Sequence, residues 1–231
     1  MRPLAAEFTG TALLLAAIVG SGITAERLTD DAGLRLLMGA VATAGVLTAL
    51  ILALGAASGA HLNPAVTIAD RVFGGIDTPT ALGYVVAQVS GAVLGVVVAN
   101  LMFDLPAIER STTTRDGIDI WVAEGVATFG LLLVIFGTVR SGRAWLTAFA
   151  VGGYIGGAYL FTSSTGFANP AVTISRALTD TFAGIAPGSV APFVAAQLVG
   201  TAVAISVLYL VYPRIGEVAD QVVVPHKPHR D

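Results

Sequence analysis

Two asparagines, each followed by proline and alanine, are the residues of this chain best suited to act on a solute. The run Asn-Pro-Ala-Val-Thr-Ile occurs twice, and its first three residues are Asn63, Pro64 and Ala65 in one copy and Asn169, Pro170 and Ala171 in the other. Asparagine is a favoured helix cap and proline is well tolerated in the first helical turn. Each copy therefore predicts the start of a short helix, with partial positive charge at that start. The capping bond uses the side-chain oxygen, so the amide NH₂ can donate to a passing solute.

The chain that positions these motifs has the composition of a membrane protein. Of its 231 residues, 55% are hydrophobic and only 12% are charged, and the mean hydropathy is +0.82. A helix needs roughly 20 apolar residues to cross a bilayer. Six stretches meet that requirement, at about 4–24, 33–56, 81–103, 119–139, 144–162 and 190–212. The first begins almost at Met1 and predicts a retained helix, not a cleaved signal peptide.

The two halves of the chain match beyond the motifs. Residues 84–91 resemble residues 193–200, and both segments contain a glutamine followed three residues later by a glycine. We assign repeat one to about 4–103 and repeat two to about 119–212. Three spans per half is an odd number, so the second repeat must enter the membrane from the opposite face.

The predicted fold class is therefore an all-α membrane protein with six transmembrane helices, two re-entrant half-helices and an inverted repeat. Residues 1–231 form a single channel domain in this prediction, and the polar tail 217–231 is expected to be disordered. Irregular backbone at membrane depth is tolerated only inside protein or facing a watery cavity. The two motif loops consequently predict a pore.

Several functional classes have no support in the sequence. The chain has no cysteine and three histidines, at positions 61, 226 and 229, which form no metal-ligand pattern. The basic residues are scattered and the net charge is −3, so we expect no nucleic-acid partner. No nucleophile–base or metal constellation indicates an enzyme, and we expect no cofactor.

The twin motif, with His61 and Leu62 before its first copy, resembles the signature of the aquaporin or major intrinsic protein family over about residues 4–212. The resemblance implies a passive channel with one pore in each subunit of a homotetramer. Its partners would be membrane lipid and small neutral solutes. We expect a bacterial-type inner (plasma) membrane location with both termini in the cytoplasm. The membrane face that contains the N-terminus has seven Lys and Arg residues and the opposite face has five, and this small excess favours the same orientation.

The family's narrowest opening is formed by four positions. The resemblance places Thr43, Gly166 and Val172 at three of them. The fourth is Gly157 by counting from the second asparagine and Tyr159 by hydrophobic pattern, and both remain open. Water-specific relatives have an arginine where Val172 stands. The expected filter is therefore wide, less polar and without that arginine, which suits a larger neutral solute.

Two further residues are candidates for the pore wall. His61 lies directly before the first motif. Arg176 lies four residues after Val172, on the same face of the second half-helix, and about 6 Å further along its axis. It lines the outer mouth in one interpretation and packs at the lipid interface in the other.

Glu7 and Glu124 are the only acidic residues inside the predicted spans, apart from Asp119 at the first position of its span. An intramembrane carboxylate is costly and usually functional. One interpretation is proton coupling, which would make the chain a secondary transporter. The preferred interpretation is that both glutamates, with Gln88 and Gln197, brace the motif loops by accepting or donating hydrogen bonds there.

Val172 and the run that follows it to position 187 look similar to a bacterial branch of the family associated with arsenic resistance. Arsenous acid is uncharged at neutral pH and resembles a polyol, and methylated arsenicals are more apolar. We expect trivalent arsenic species as solutes. A glycerol or polyol facilitator is the alternative, and a plain water channel ranks below both because position 172 lacks arginine.

Overall fold

The structure, a computed structural model, describes residues 1–212 and 214–216. The predicted tail 217–231 lies outside the described residues. Within the described part, six helices are long and apolar enough to cross a membrane. The α-helices are α1 Arg2–Leu28, α2 Ala32–Ser58, α3 Pro64–Phe73, α4 Thr78–Met102, α5 Ile118–Arg140, α6 Thr147–Phe161, α7 Pro170–Ser175 and α8 Pro187–Val211.

The predicted arrangement of six spans and two half-helices is confirmed, with two local differences. A 3₁₀ turn, Ala144–Leu146, precedes α6, so the fifth span begins with a tighter turn than expected. The second half-helix, α7, is shorter than α3 and continues as a 3₁₀ turn, Arg176–Leu178. Arg176 therefore begins a new element and does not continue the α-helical face of Val172.

Side-chain caps explain where several helices begin. Asp31 accepts a hydrogen bond from the Leu34 amide at 2.7 Å, and Asp77 accepts one from the Thr80 amide at 2.8 Å. These caps satisfy amides that lack a partner within the helix. Both half-helices begin in the same way, at an asparagine with proline directly after it.

Glycines allow the closest helix contacts in each repeat. A Cβ at Gly91 or Gly95 of α4 would collide with the carbonyls of Phe8 and Ala12 on α1, and a Cβ at Gly200 of α8 would collide with Gly125 on α5. Small residues permit such close packing where lipid provides no hydrophobic drive. The pairs α1–α4 and α5–α8 thus form matching walls on the two sides of the molecule.

The half-helices lie in opposite orientations between these walls. We call the face where α1 begins and α8 ends the termini face, and the opposite face, which has the connector 103–117 between α4 and α5, the connector face. Helix α3 runs from the centre towards the termini face, and α7 runs from the centre towards the connector face. The connector packs on the chain after α7, where the Ser111 amide donates to the Ala177 carbonyl at 3.1 Å.

Candidate functional site

The two half-helices meet at their capping asparagines. The Asn63 side chain accepts from the Ala65 amide at 2.9 Å, and Asn169 accepts from the Ala171 amide at the same distance. Each NH₂ also donates across the repeat boundary: Asn63 to the Ala168 carbonyl and Asn169 to the Leu62 carbonyl, both at 2.8 Å. An NH₂ has two hydrogens, so this bond leaves one for a solute. The sequence did not predict the cross-bonds.

An unusual backbone conformation makes the cross-bonds possible. Leu62 and Ala168, each directly before its asparagine, both have φ of 49°. Residues other than glycine seldom adopt this left-handed conformation, and such strain persists where surrounding contacts fix it, often at functional sites. Here the conformation turns the carbonyls of Leu62 and Ala168 so that each accepts a hydrogen bond from the asparagine of the other repeat.

Glu7 holds the first loop. Its two carboxylate oxygens accept from the His61 amide at 3.0 Å, the Leu62 amide at 2.7 Å and the Ser58 hydroxyl at 2.6 Å. Gln88 donates to the same carboxylate at 2.8 Å and to the Thr67 hydroxyl at 2.9 Å. The glutamate therefore supplies acceptors to a loop whose amides have no regular secondary-structure partner.

Glu124 holds the second loop in the same way. It accepts from the Phe167 amide at 2.8 Å and the Ala168 amide at 3.0 Å. Gln197 donates to it at 2.6 Å and to the Thr173 hydroxyl at 2.8 Å. Both glutamates are fully buried and neither lines the central cavity, which favours bracing over proton coupling.

A narrow cavity runs past the two asparagines. Its volume is about 50 Å³, and a water needs about 10–15 Å³ on this scale, so it has room for a short file of waters. Its wall is mostly aliphatic and includes Leu14, Ile18, Leu47, Ile51, Leu131 and Ile135. Polar groups line it at few places, among them His61, Asn63 and Asn169. Such a passage suits small uncharged molecules.

The predicted filter positions lie on the connector-face side of the cavity. Thr43, Gly166, Val172 and Tyr159 line it, and the hydroxyls of Thr43 and Tyr159 are 3.0 Å apart. Gly157 is exposed on the other side of α6, with open space where a Cβ would stand. Of the two open candidates, Tyr159 is the one that lies at the cavity. Its ring adds bulk that an opening with glycine there would lack.

Arg176 adds a charged side chain to an opening that has valine at position 172, in agreement with the first of its two predicted interpretations. Position 172 is valine, but Arg176 lines the same cavity although its side chain is only 4% exposed. Its Nε donates to the Ala183 carbonyl. Its guanidinium carbon lies 3.5 Å from the centroid of the Phe167 ring, a cation–π contact. The chain after α7 folds back to supply that carbonyl, which sequence spacing alone does not indicate.

The matching place in the first loop contains a different pair. His61 lines the cavity, and its Nε2 lies 3.5 Å from the carboxylate of Asp70, which is fully buried. Its Nδ1 is 3.1 Å from the Thr67 hydroxyl. Asp70 and Phe167 were not among the predicted site residues. Each repeat has a ring two residues before its asparagine and a charge seven residues after it, a regularity that comparing the two halves would have revealed.

A second arginine fixes the segment that contacts Arg176. Arg115, on the connector, donates to the Gly184 carbonyl at 2.9 Å and to the Phe182 carbonyl at 3.2 Å, on either side of Ala183. Its guanidinium carbon is 5.1 Å from the Phe167 ring. Burial lowers the pKa of Arg115, but an arginine begins so high that the group stays charged near neutral pH.

Comparison with known proteins agrees with this geometry. The model of the family described as Major intrinsic protein matches residues 1–168. The chain is 46% identical over 210 residues to Aquaglyceroporin AqpS of Rhizobium meliloti (strain 1021), across 90% of this chain and 88% of that protein. It is 32% identical over 189 residues to a Glycerol uptake facilitator protein of Streptococcus pneumoniae (strain ATCC BAA-255 / R6), across 74% of this chain and 80% of that protein.

A solved structure gives the same fold. The aquaglyceroporin from Plasmodium falciparum superposes with a TM-score of 0.69 at 25% identity, and the match covers 93% of this chain and 98% of that one. The half-helices, the paired asparagines and the apolar passage are then parts of one architecture. The chain therefore belongs to the major intrinsic protein family and is a multi-pass membrane channel of the aquaglyceroporin type for small solutes.

Proposed function

We propose that this channel passes trivalent arsenic species, arsenous acid and its methylated forms, down their gradients. The observation that carries the proposal is Val172, which is 3% exposed in the cavity wall beside the second asparagine. A valine there offers neither the charge nor the donors of an arginine. A neutral solute with an apolar surface thus loses less hydration energy on passing.

The remaining wall supports a solute that presents both hydroxyls and apolar surface. Thr43 and Tyr159 offer hydroxyls on one side of the opening, and the aliphatic wall continues beyond them. Arsenous acid resembles a polyol in its hydroxyls, and a methyl group replaces one hydroxyl by an apolar surface. The absence of cysteine in the chain favours passage, because trivalent arsenic binds thiols.

Glycerol is the second candidate solute. The 32% identical relative is named a glycerol uptake facilitator, and the Thr43–Tyr159 hydroxyl pair suits any small polyol. A plain water channel ranks lower because of Val172. A proton-coupled transporter ranks lowest, because Glu7 and Glu124 are occupied by loop amides and lie away from the cavity.

The assembly and location belong to the same proposal. We propose a homotetramer in a bacterial plasma membrane, with the termini face in the cytoplasm and the connector face outside. The kinship with a bacterial aquaglyceroporin and the distribution of positive residues support it. One channel domain, with repeats at about 4–103 and 119–212, accounts for the paired hydrogen bonds of the two loops.

The test is stopped-flow light scattering of proteoliposomes with water, glycerol, arsenite and a methylated trivalent arsenical. Val172→Arg should reduce the flux of both arsenicals at least about tenfold, a barrier increase of about 1.4 kcal/mol, while water flux changes little. Val172→Ile, which adds no charge, should leave every flux within about twofold. Wild-type protein that passes water and excludes all three larger solutes would contradict the proposal.

A further inference from the structure

We propose that Arg176 is the fixed cation of this pore and excludes positively charged solutes, the task that Val172 is unable to perform. The proposal rests on the channel activity and not on the identity of the neutral solute. Arg176, which lies one helical turn nearer the connector face than Val172, is the residue that we expect to exclude cations.

The position of Arg176 is the first argument. The side chain lines the narrow cavity together with Thr43 and Tyr159, and it also lines an adjoining cavity of about 230 Å³ towards the connector face. Arg176 therefore lies where the wider vestibule meets the narrow passage. A solute that moves between the two must pass its guanidinium.

The way in which the guanidinium is held is the second argument. The hydrogen bond to Ala183 uses Nε, and the face of the group covers the Phe167 ring. The two Nη groups are then the donors that can face a solute. This anchoring holds the charge at the wall, so an uncharged solute can pass the side chain without displacing it.

Arg115 makes that anchor rigid. Its hydrogen bonds to the Phe182 and Gly184 carbonyls hold the segment on both sides of the carbonyl that Arg176 contacts. Arg115 also lies near the Phe167 ring from its own direction. We assign Arg115 a positioning role, since it lines the vestibule but not the narrow cavity.

The consequence for selectivity is electrostatic. A side chain only 4% exposed is screened far less than a surface charge, and the first turn of α7, deeper in the passage at Asn169, adds a second partial positive charge. A cation entering the narrow part meets both repulsions after losing part of its hydration shell. A neutral molecule meets neither and finds Nη donors.

The experiment compares glycerol flux with leak of methylammonium and potassium in proteoliposomes of wild type, Arg176→Gln, Arg176→Lys and Val172→Arg/Arg176→Gln. Arg176→Gln should raise both cation leaks at least about tenfold relative to the glycerol flux measured with the same protein. Arg176→Lys should stay tight at neutral pH. The double variant, with a charge at position 172, should be tight again. Arg35→Gln is the matched control, because Arg35 also donates from Nε to a backbone carbonyl, that of Thr29, but lies outside the cavity.

A second measurement separates charge from structural support. The potassium leak of Arg176→Lys should rise between pH 8 and pH 10 as the lysine loses its proton, and it should rise more than the leak of wild type, because a guanidinium holds its proton more strongly than an ammonium in the same surroundings. A leak that stays low in a glycerol-conducting Arg176→Gln protein would overturn the proposal. So would a lysine variant whose leak does not depend on pH. Failure of arsenic transport alone would affect only the proposed solute.

Discussion

The two re-entrant loops share a backbone frame and differ in the charge beside the ring that lines the pore. In repeat one, Nε2 of His61 lies 3.5 Å from the carboxylate of Asp70, and in repeat two, the ring centroid of Phe167 lies 3.5 Å from the guanidinium carbon of Arg176. The chain thus places an acid behind the termini-face half of the pore and a base at the connector-face half. A solute crossing the channel passes His61, which stands in front of the acid, and then Arg176.

The difference separates what a loop needs from what a solute senses. Both loops need acceptors for amides that are outside regular helix, and both receive them from one buried glutamate and its glutamine. The ring and the charge do not serve the loop amides. The ring and the charge can therefore differ between the two repeats. An inverted repeat can in this way keep the same loop supports and present different side chains to a solute at the two ends of the pore.

Exchanging the rings between the two loops should change the stability of the protein more than the other substitutions proposed below. His61→Phe removes the imidazole from a buried carboxylate and should lower the free energy of unfolding by about 3 kcal/mol. Phe167→His should lower it by about 1 kcal/mol, because Arg176 keeps its hydrogen bond to Ala183. Unfolding in detergent, followed by tryptophan fluorescence, measures both. Equal losses would mean that Asp70 does not depend on the ring.

Substituting either bracing glutamate, Glu7 or Glu124, should destabilise the protein for the same reason but by a different amount. Glu7→Gln and Glu124→Gln each replace an acceptor oxygen by a donor and strand at least one loop amide, at a cost of about 2 kcal/mol. Glu7→Gln should cause the larger loss of stability, because Glu7 accepts a hydrogen bond from Ser58 in addition to those from two amides and Gln88. Thermal unfolding in detergent is the measurement, with Glu26→Gln on the exposed end of α1 as the control. A larger loss at Glu124 would show that the hydroxyl contributes nothing.

Much of this frame could be predicted from the sequence. Hydropathy and length located the spans, and the Asn-Pro start predicted two short helices because cap and first-turn preferences are local. The bracing interpretation followed because an intramembrane carboxylate needs donors and an irregular loop has them. These features depend on neighbouring residues or on one general requirement, so the sequence suffices.

The filter could not be predicted as fully because it depends on how elements pack. Gly157 and Tyr159 are two residues apart, which places them about 200° apart around a helix. Only the rotation of α6 decides which one faces the cavity, and that rotation is set by its contacts with α2. The position of the Arg176 side chain depends on the carbonyl of Ala183. The chain brings that carbonyl back to Arg176 through a loop after α7. Phe167 next to a motif looks like an ordinary core residue until Arg176 is seen on its face.

The smallest effect should come from the threonine that each half-helix presents to its glutamine. Thr67 and Thr173 each accept from that glutamine and donate to the carbonyl of the capping asparagine. Only Thr67 also contacts a ring nitrogen, that of His61. Thr67→Val should therefore destabilise the protein by about 1 kcal/mol more than Thr173→Val, measured as the difference between their unfolding free energies.

This pair of variants tests the contact between ring and frame without altering either charge. Valine keeps the shape of threonine and removes its hydroxyl, and the loss common to both loops cancels in the difference. A difference near zero would mean that Asp70 alone orients His61. A clear excess at Thr67 would mean that the polar ring of repeat one is tied to its frame, whereas the apolar ring of repeat two is held by the cation it supports.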